Sequence, residues 1–406
     1  MEEFLASNRG AVLSGSGPVH VVLGNEACDM DSMVCALVYA YFLHKTSAGG
    51  ALVVPLMNIA AEDLVLRSDS VALLTKTGLS PDLLLFRDQV DLRRLCADRG
   101  LRLTLVDHNV LPDSDSDLEE AVVEVIDHHK LERVTSCPVA MEPVTSCPIA
   151  VEPVGSCATL VAERVLQRAP QLLDAQIAIL LYGTILVDCV DMVPEAGKVT
   201  PKDSEVVLQL ETKVHTLPQR SQLFTELQQA KFNVRGLNSE QMLLKDLKSL
   251  SGPELNLGIS VLYLPLQDFL SRPGVEAELS AFCQKMGFDS LLLMSISLTS
   301  TQQPIRELGV FSLSQPIREQ ASLPQFSPGS SPGSGRVQAG FSCDPGLVCA
   351  GNSVASRKKL LPMLKDFLWS GQELMVPPTP VNSLVEGCPL DQGLSPTELQ
   401  TRLSRD

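Results

Sequence analysis

Three short clusters concentrate the groups that bind divalent cations: Asn25-Glu-Ala-Cys-Asp29-Met-Asp31-Ser32, Asp107-His108-Asn109 and Asp127-His128-His129. Half of the chain's six histidines lie in the last two. Asp29 and Asp31 alternate in what reads as a strand-to-helix turn, so each carboxylate can face a different ion. Asp107, with two oxygens, can bridge them, His128 offers an imidazole, and Asp188 offers a further oxygen from an adjacent helix. Mixed oxygen and nitrogen ligation with little thiolate suits Mg²⁺, Mn²⁺ or Co²⁺ better than structural zinc. Two such ions about 3.5–4 Å apart would clamp a phosphate and generate a hydroxide nucleophile. One Asp-His pair alone is more often a structural hydrogen bond. Three clusters, each after an apolar run, favour a metal site. Ser32 reads as a helix cap.

Strands must deliver these groups to one place. Val19–Leu23, Leu101–Val106 and residues 122–126 are apolar, β-branched runs of the kind that form buried strands of a parallel sheet. Each ends where a cluster begins, and ligands of α/β sheets bind beyond the carboxyl ends of the strands. After Asp31-Ser32, Val34, Leu37, Val38, Tyr41 and Phe42 follow helical spacing. Gly155-Ser156-Cys157-Ala158-Thr159 opens a second helix, with Ala158, Val161, Ala162 and Val165 as its stripe. Residues 175–187 read as a third, nearly all apolar and hence buried, with Asp188 at its end. An unpartnered carboxylate there would be costly. The first 200 residues are therefore expected to form a doubly wound, mainly parallel α/β domain.

A charged stretch at 198–220 reads as a linker, assigned to residues 201–220. A smaller α/β domain is expected over 221–372, with a helix at 222–232 and strands at 257–264 and 291–296. Residues 324–335, rich in Pro, Ser and Gly, read as a flexible insertion, and 373–406 as a Pro-containing tail. A tandem repeat, Val134-Thr-Ser-Cys-Pro-Val-Ala-Met-Glu-Pro143 and Val144-Thr-Ser-Cys-Pro-Ile-Ala-Val-Glu-Pro153, reads as a duplication in a surface loop. It spaces Cys137, Cys147 and Cys157 by ten, too far apart for the usual paired zinc ligands.

Composition excludes several classes. A net charge of −16 and 4% aromatics argue against broad nucleic-acid binding. The longest apolar stretch is far below the ~18 residues of a membrane span. Eleven cysteines without a secretory signal point to reduced thiols in the cytosol or nucleus.

The clusters, together with Gly155-Ser156-Cys157-Ala158-Thr159 and Asp188, resemble the DHH phosphoesterase superfamily in order and spacing. Asp246-Leu247-Lys248 and Ser356-Arg357-Lys358-Lys359 are similar to the DHHA2 signatures of family II inorganic pyrophosphatases. Leu23-Gly-Asn-Glu-Ala-Cys-Asp-Met-Asp-Ser32, Ala230-Lys-Phe232, Pro377-Pro-Thr-Pro380 and Cys388-Pro-Leu-Asp-Gln-Gly393 resemble the animal prune branch. The resemblance covers nearly the whole chain.

It implies that Asp29, Asp31, Asp107, His128 and Asp188 hold two divalent cations, Mg²⁺ or Mn²⁺ with Co²⁺ as an option. His129, Lys248 and Arg357 would contact substrate phosphate, with Asp107, His128 and His129 as the catalytic set and the site in a cleft between the domains. Pyrophosphatases carry His where this chain has Asn25, a weaker ligand, so one metal position should be weakened. The branch implies hydrolysis of short-chain polyphosphates, with cyclic-nucleotide phosphodiesterase activity proposed beside it. The alternative is an interaction protein binding a nucleoside diphosphate kinase and cell-migration machinery through the tail. Five retained ligands favour catalysis.

Overall fold

The computed structural model describes residues 1–14, 17–47, 51–131, 148–251, 256–298, 304–312 and 347–351. Arg357, the first repeat copy, the 324–335 insertion and the tail beyond 373 lie outside the described residues. The chain divides into two compact units, Met1–Lys231 and a second beginning at Phe232.

The first unit is built on α1 (Glu2–Ser14), β1 (Val19–Leu23), α2 (Met30–Thr46), β2 (Leu52–Leu56), α3 (Ser68–Lys76), α4 (Leu92–Arg99), β3 (Leu101–Val106), β4 (Val122–Asp127) and β5 (Ile149–Val151), then α5 (Cys157–Arg168), α6 (Ala175–Asp188), α7 (Pro201–Lys213) and α8 (Arg220–Phe232). Its sheet has the order β2-β1-β3-β4-β5, and every pairing is parallel. Alternation along the strands serves two cores. Val22, Val106 and Ile126 pack with α2, α5 and α6, whereas Val21, Leu23, Leu103, Leu105 and Val125 pack with Leu92 and Leu95 of α4. The strand order reverses between β1 and β3, which leaves a crevice beyond their carboxyl ends. The first two clusters emerge there.

Three sequence expectations need correction. The stretch assigned to a linker contains α7, because Val206, Val207 and Leu210 form a buried stripe that its charged composition hides. The second repeat copy is not wholly loop: Ile149–Val151 pairs with Val125, Ile126 and Asp127 as the sheet's edge strand. Helix α2 begins at Met30, capped by Asp29, so Asp31 and Ser32 sit inside its first turn and Ser32 is not the cap.

The second unit carries α9 (Ser239–Leu244), β6 (Leu247–Ser251), β7 (Asn256–Leu262), α10 (Leu266–Leu270), α11 (Val275–Met286), β8 (Ser290–Leu298), β9 (Pro304–Ser312) and β10 (Leu347–Gly351). The sheet order is β10-β9-β8-β7-β6, with β7 and β8 parallel and the other pairs antiparallel. Leu262, Leu291, Leu293 and Phe311 pack against Phe269, Leu279 and Phe282 of the helices. The α/β class expected from the sequence holds for both units. Among the described residues no helix is long and apolar enough to cross a membrane.

Candidate metal centre

Backbone geometry places the first cluster. Cys28 has a φ of 45°, turning the chain sharply out of β1 into α2. Asp29 then caps the helix, its Oδ1 accepting from Ser32 N at 3.1 Å. Gly24 is required because a Cβ there would stand 2.8 Å from Ser32 Cβ and 2.9 Å from Ser32 O. The close approach seats the first turn of α2 against the end of β1.

Asp31 is held from the opposite side. Cys157 N donates to its Oδ2 at 2.6 Å and Ala158 N to its Oδ1 at 2.8 Å, so the carboxylate sits on the positive N-terminus of α5. Cys35 Sγ also donates to Oδ1, at 3.2 Å. Asp203, fully buried, accepts from Gly155 N at 2.9 Å and from Thr159 Oγ1 at 2.5 Å, fixing the loop from which α5 starts.

Asp107 follows β3 with a φ of 61°, a left-handed conformation that Asp tolerates better than most residues. Its carboxylate is fully buried. Oδ2 accepts from Ser32 Oγ at 2.6 Å and from Asn25 Nδ2 at 2.9 Å. Oδ1 has no hydrogen-bond partner and lies 3.2 Å from His128 Nε2. Asn25 Oδ1 accepts from Ala27 N and Cys28 N, at 2.9 and 3.2 Å. Asn25 therefore turns an N–H face to Asp107, not the oxygen expected of a weak ligand.

The histidines are oriented by their other nitrogens. His128 Nδ1 donates to Val154 O at 2.9 Å, which turns Nε2 towards the carboxylates, 3.8 Å from Asp31 Oδ2; burial opposes its protonation, but Asp107 and Asp31 outweigh burial and raise its pKa well above the usual imidazole value. His129 Nδ1 donates to Asp127 Oδ1 at 2.8 Å. Asp127 also accepts from His128 N, His129 N and Asn109 Nδ2, at 2.8, 3.2 and 2.5 Å, and so ties the second cluster to the third. Burial alone would raise its carboxyl, but the His129 hydrogen bond and the remaining contacts outweigh that and hold it at about 2. Asp127 is an anchor with both oxygens occupied.

Asp188 ends α6, whose apolar run is buried. The chain then makes a left-handed turn, with φ of 52°, 52° and 61° at Val190, Asp191 and Met192.

The electrostatics call for a cation. Burial, then the neighbouring carboxylates, raise Asp31 to about 7. Burial also raises Asp107 to about 6, with Asp29 adding to it, and pushes Asp188 well up, with Asp31 and Asp29 adding to it. Asp107 Oδ1, His128 Nε2 and Asp188 Oδ2 are all buried without a hydrogen-bond partner. Asp107, His128 and His129 offer ligand atoms within 4.8 Å of one another. Oxygens of this kind with one imidazole suit a hard or borderline divalent ion. The donor set fits the metal.

Lys248 lies half-buried on β6 in the second unit, paired with Ile259. The sequence reading missed Ser32 as a partner of Asp107 and Asp127 as the histidine anchor. The only advance signal was their position inside the clusters.

The sequence matches the DHH family, N-terminal domain, over residues 20–185 and the DHHA2 domain over 225–367. It is 41% identical over 445 residues to the exopolyphosphatase PRUNE1 of Rattus norvegicus, covering 97% of this chain and 94% of that protein. The human PRUNE1 exopolyphosphatase is 41% identical over 438 residues, with the same coverage. The fold is shared with a family II inorganic pyrophosphatase of Methanococcus jannaschii, at a TM-score of 0.52 and 19% identity, over 86% of this chain and 99% of that one. With its clusters gathered beyond β1, β3 and β4 and this similarity along nearly its whole length, the chain belongs to the prune family of DHH phosphoesterases.

Proposed function

We propose that this protein is a metal-dependent hydrolase that cleaves phosphoanhydride bonds of short inorganic polyphosphates. The observation that carries the reading is the buried set Asp107 Oδ1, His128 Nε2 and Asp188 Oδ2, none of them hydrogen-bonded, gathered at the crevice end of a parallel sheet. The relatives matched over nearly their full length are named exopolyphosphatases. Asp29, Asp31, Asp107, His128 and Asp188 would hold the divalent cations, Mg²⁺ or Mn²⁺, which when bound would neutralise phosphate charge and lower the pKa of the attacking water.

The remaining steps belong to side chains. Asp31 is fixed by the N-terminus of α5 and His128 by Val154 O, so neither has to reorganise when substrate arrives. Burial opposes protonation of His129, but Asp127 and Asp107 prevail and raise its pKa. His129 Nε2, buried and without a protein partner, is then the atom that donates to a phosphate oxygen. Lys248 and Arg357 add cations for the phosphate chain, Arg357 through a bidentate fork and Lys248 as a point charge.

Phosphate release from pyrophosphate, tripolyphosphate and tetrapolyphosphate tests the reading, with cAMP as a further arm. Release from tri- and tetrapolyphosphate that stops on chelation is expected. Activity on cAMP alone would replace the reading with a phosphodiesterase.

A further inference from the structure

The two oxygens of Asp107 live in different surroundings. Oδ1 is buried without a hydrogen bond and faces His128 Nε2 at 3.2 Å. Oδ2 is engaged by two donors, Ser32 Oγ at 2.6 Å and Asn25 Nδ2 at 2.9 Å. Both donors are held. Asn25 N donates to Ser32 Oγ at 3.1 Å, which leaves the hydroxyl proton for Asp107. The Asn25 amide cannot be inverted. Its Oδ1 receives the N–H groups of Ala27 and Cys28, and the inverted form would set NH₂ against them and an oxygen against a carboxylate. Asn25 Nδ2 donates in addition to Asp107 O, at 3.1 Å. Ser32 is fully buried and Asn25 is 9% exposed, so water does not stand in for either donor.

A carboxylate bridges two cations only when each oxygen has a lone pair directed at its own ion. Here the lone pairs of Oδ2 point at protein hydrogens. On the Oδ1 side stand His128 and Asp31, with Asp188 close enough to feel the charge of both.

We propose that Asn25 and Ser32 make Asp107 a one-sided ligand. The chain alone holds a single divalent cation, on Oδ1 with His128, Asp31 and Asp188, and a second cation enters only together with substrate phosphates. The second half of this statement rests on the polyphosphate reading; the single-cation count does not. Asn25 and Ser32 are positioning residues.

Mn²⁺ titration into the metal-free full-length protein, read by calorimetry and electron paramagnetic resonance, tests this without turnover. The wild type should bind one Mn²⁺ per chain. Addition of imidodiphosphate, a non-hydrolysable pyrophosphate analogue, should bring in a second with a spin-coupled spectrum. Asn25→His removes a donor and adds an imidazole, and should bind two without the analogue. Ser32→Ala, a smaller change that keeps the test open if the histidine variant misfolds, should tighten the second Mn²⁺ at least about tenfold. Two Mn²⁺ of similar affinity in the substrate-free wild type would overturn the proposal, as would a second-site affinity unmoved in Ser32→Ala. A wild-type count of one with no phosphate released from any polyphosphate would contradict the function reading and leave the single-cation assignment standing.

Discussion

The backbone N–H of Cys157 donates to Asp31 Oδ2 at 2.6 Å, and this contact joins residues 126 positions apart at the N-terminus of α5. A carboxylate of the first cluster is thereby oriented by a helix that starts after the third. The metal centre depends on how β1, β4 and α5 pack, and less on the flexibility of any one loop. Several measurable consequences follow from that dependence.

Asp107→Asn should reduce hydrolysis by about three orders of magnitude or more, equivalent to about 4 kcal/mol of transition-state stabilisation. Asn adopts left-handed backbone readily, so the φ of 61° survives and the fold is retained. Circular dichroism should be unchanged. Near-normal turnover at saturating Mg²⁺ would remove Asp107 from the centre of the site.

Metal and stability are linked through the same carboxylates. Saturating Mg²⁺ at about 100 times its Kd should stabilise the wild type by about 2.7 kcal/mol, visible as a rise in Tm, and chelation should reverse it. Asp107→Asn should show little of that rise. An equal shift in both proteins would place the stabilising cation elsewhere.

His20 sets a pH limit unconnected with catalysis. It is 8% exposed on β1, its Nε2 is 2.8 Å from Thr104 Oγ1, and burial, then the Arg102 charge, lower its pKa to about 4. The unfolded chain takes up this proton near 6.5 and the folded one only near 4. Stability therefore falls as pH drops from about 6.5 to about 4 and levels below, with a contribution of at most about 3 kcal/mol. His20→Gln should flatten the denaturant-midpoint profile in that window. An unchanged slope would assign the acid sensitivity to other groups.

Gly24→Ala puts a Cβ 2.8 Å from Ser32 Cβ and 2.9 Å from Ser32 O. The first turn of α2 must move, at a cost of about 1–3 kcal/mol. Because Asp29, Asp31 and Ser32 ride on that turn, metal affinity should fall with stability. A variant that lost stability and kept wild-type Mn²⁺ affinity would show that the turn is not what aligns the carboxylates.

Legibility in the sequence followed the range of the interactions. Leu101–Val106 was readable to the residue, because Leu101, Leu103, Leu105 and Val106 are apolar and buried, and only Arg102 is exposed. The helix ending in Asp188 was readable for the same reason. Helix α7 was hidden because three buried residues, Val206, Val207 and Leu210, sit among charged neighbours. Strand β5 was hidden because three residues of an edge strand carry no periodicity. The hydrogen bond from Ser32 to Asp107 spans 75 positions, so residue type alone pointed to a cap. The direction of the Asn25 amide rests on the N–H groups of Ala27 and Cys28, and those point inward only because Cys28 turns the backbone left-handed.

The most direct test is phosphate release from tripolyphosphate by the purified protein, with Mg²⁺, with Mn²⁺ and after chelation, beside His128→Ala. Cation-dependent release by the wild type, abolished by chelation and reduced at least about a hundredfold in the variant, is the predicted result. No release from tri- or tetrapolyphosphate with either cation, or release that persists in His128→Ala, would contradict a metal-dependent phosphoanhydride hydrolase built on these clusters.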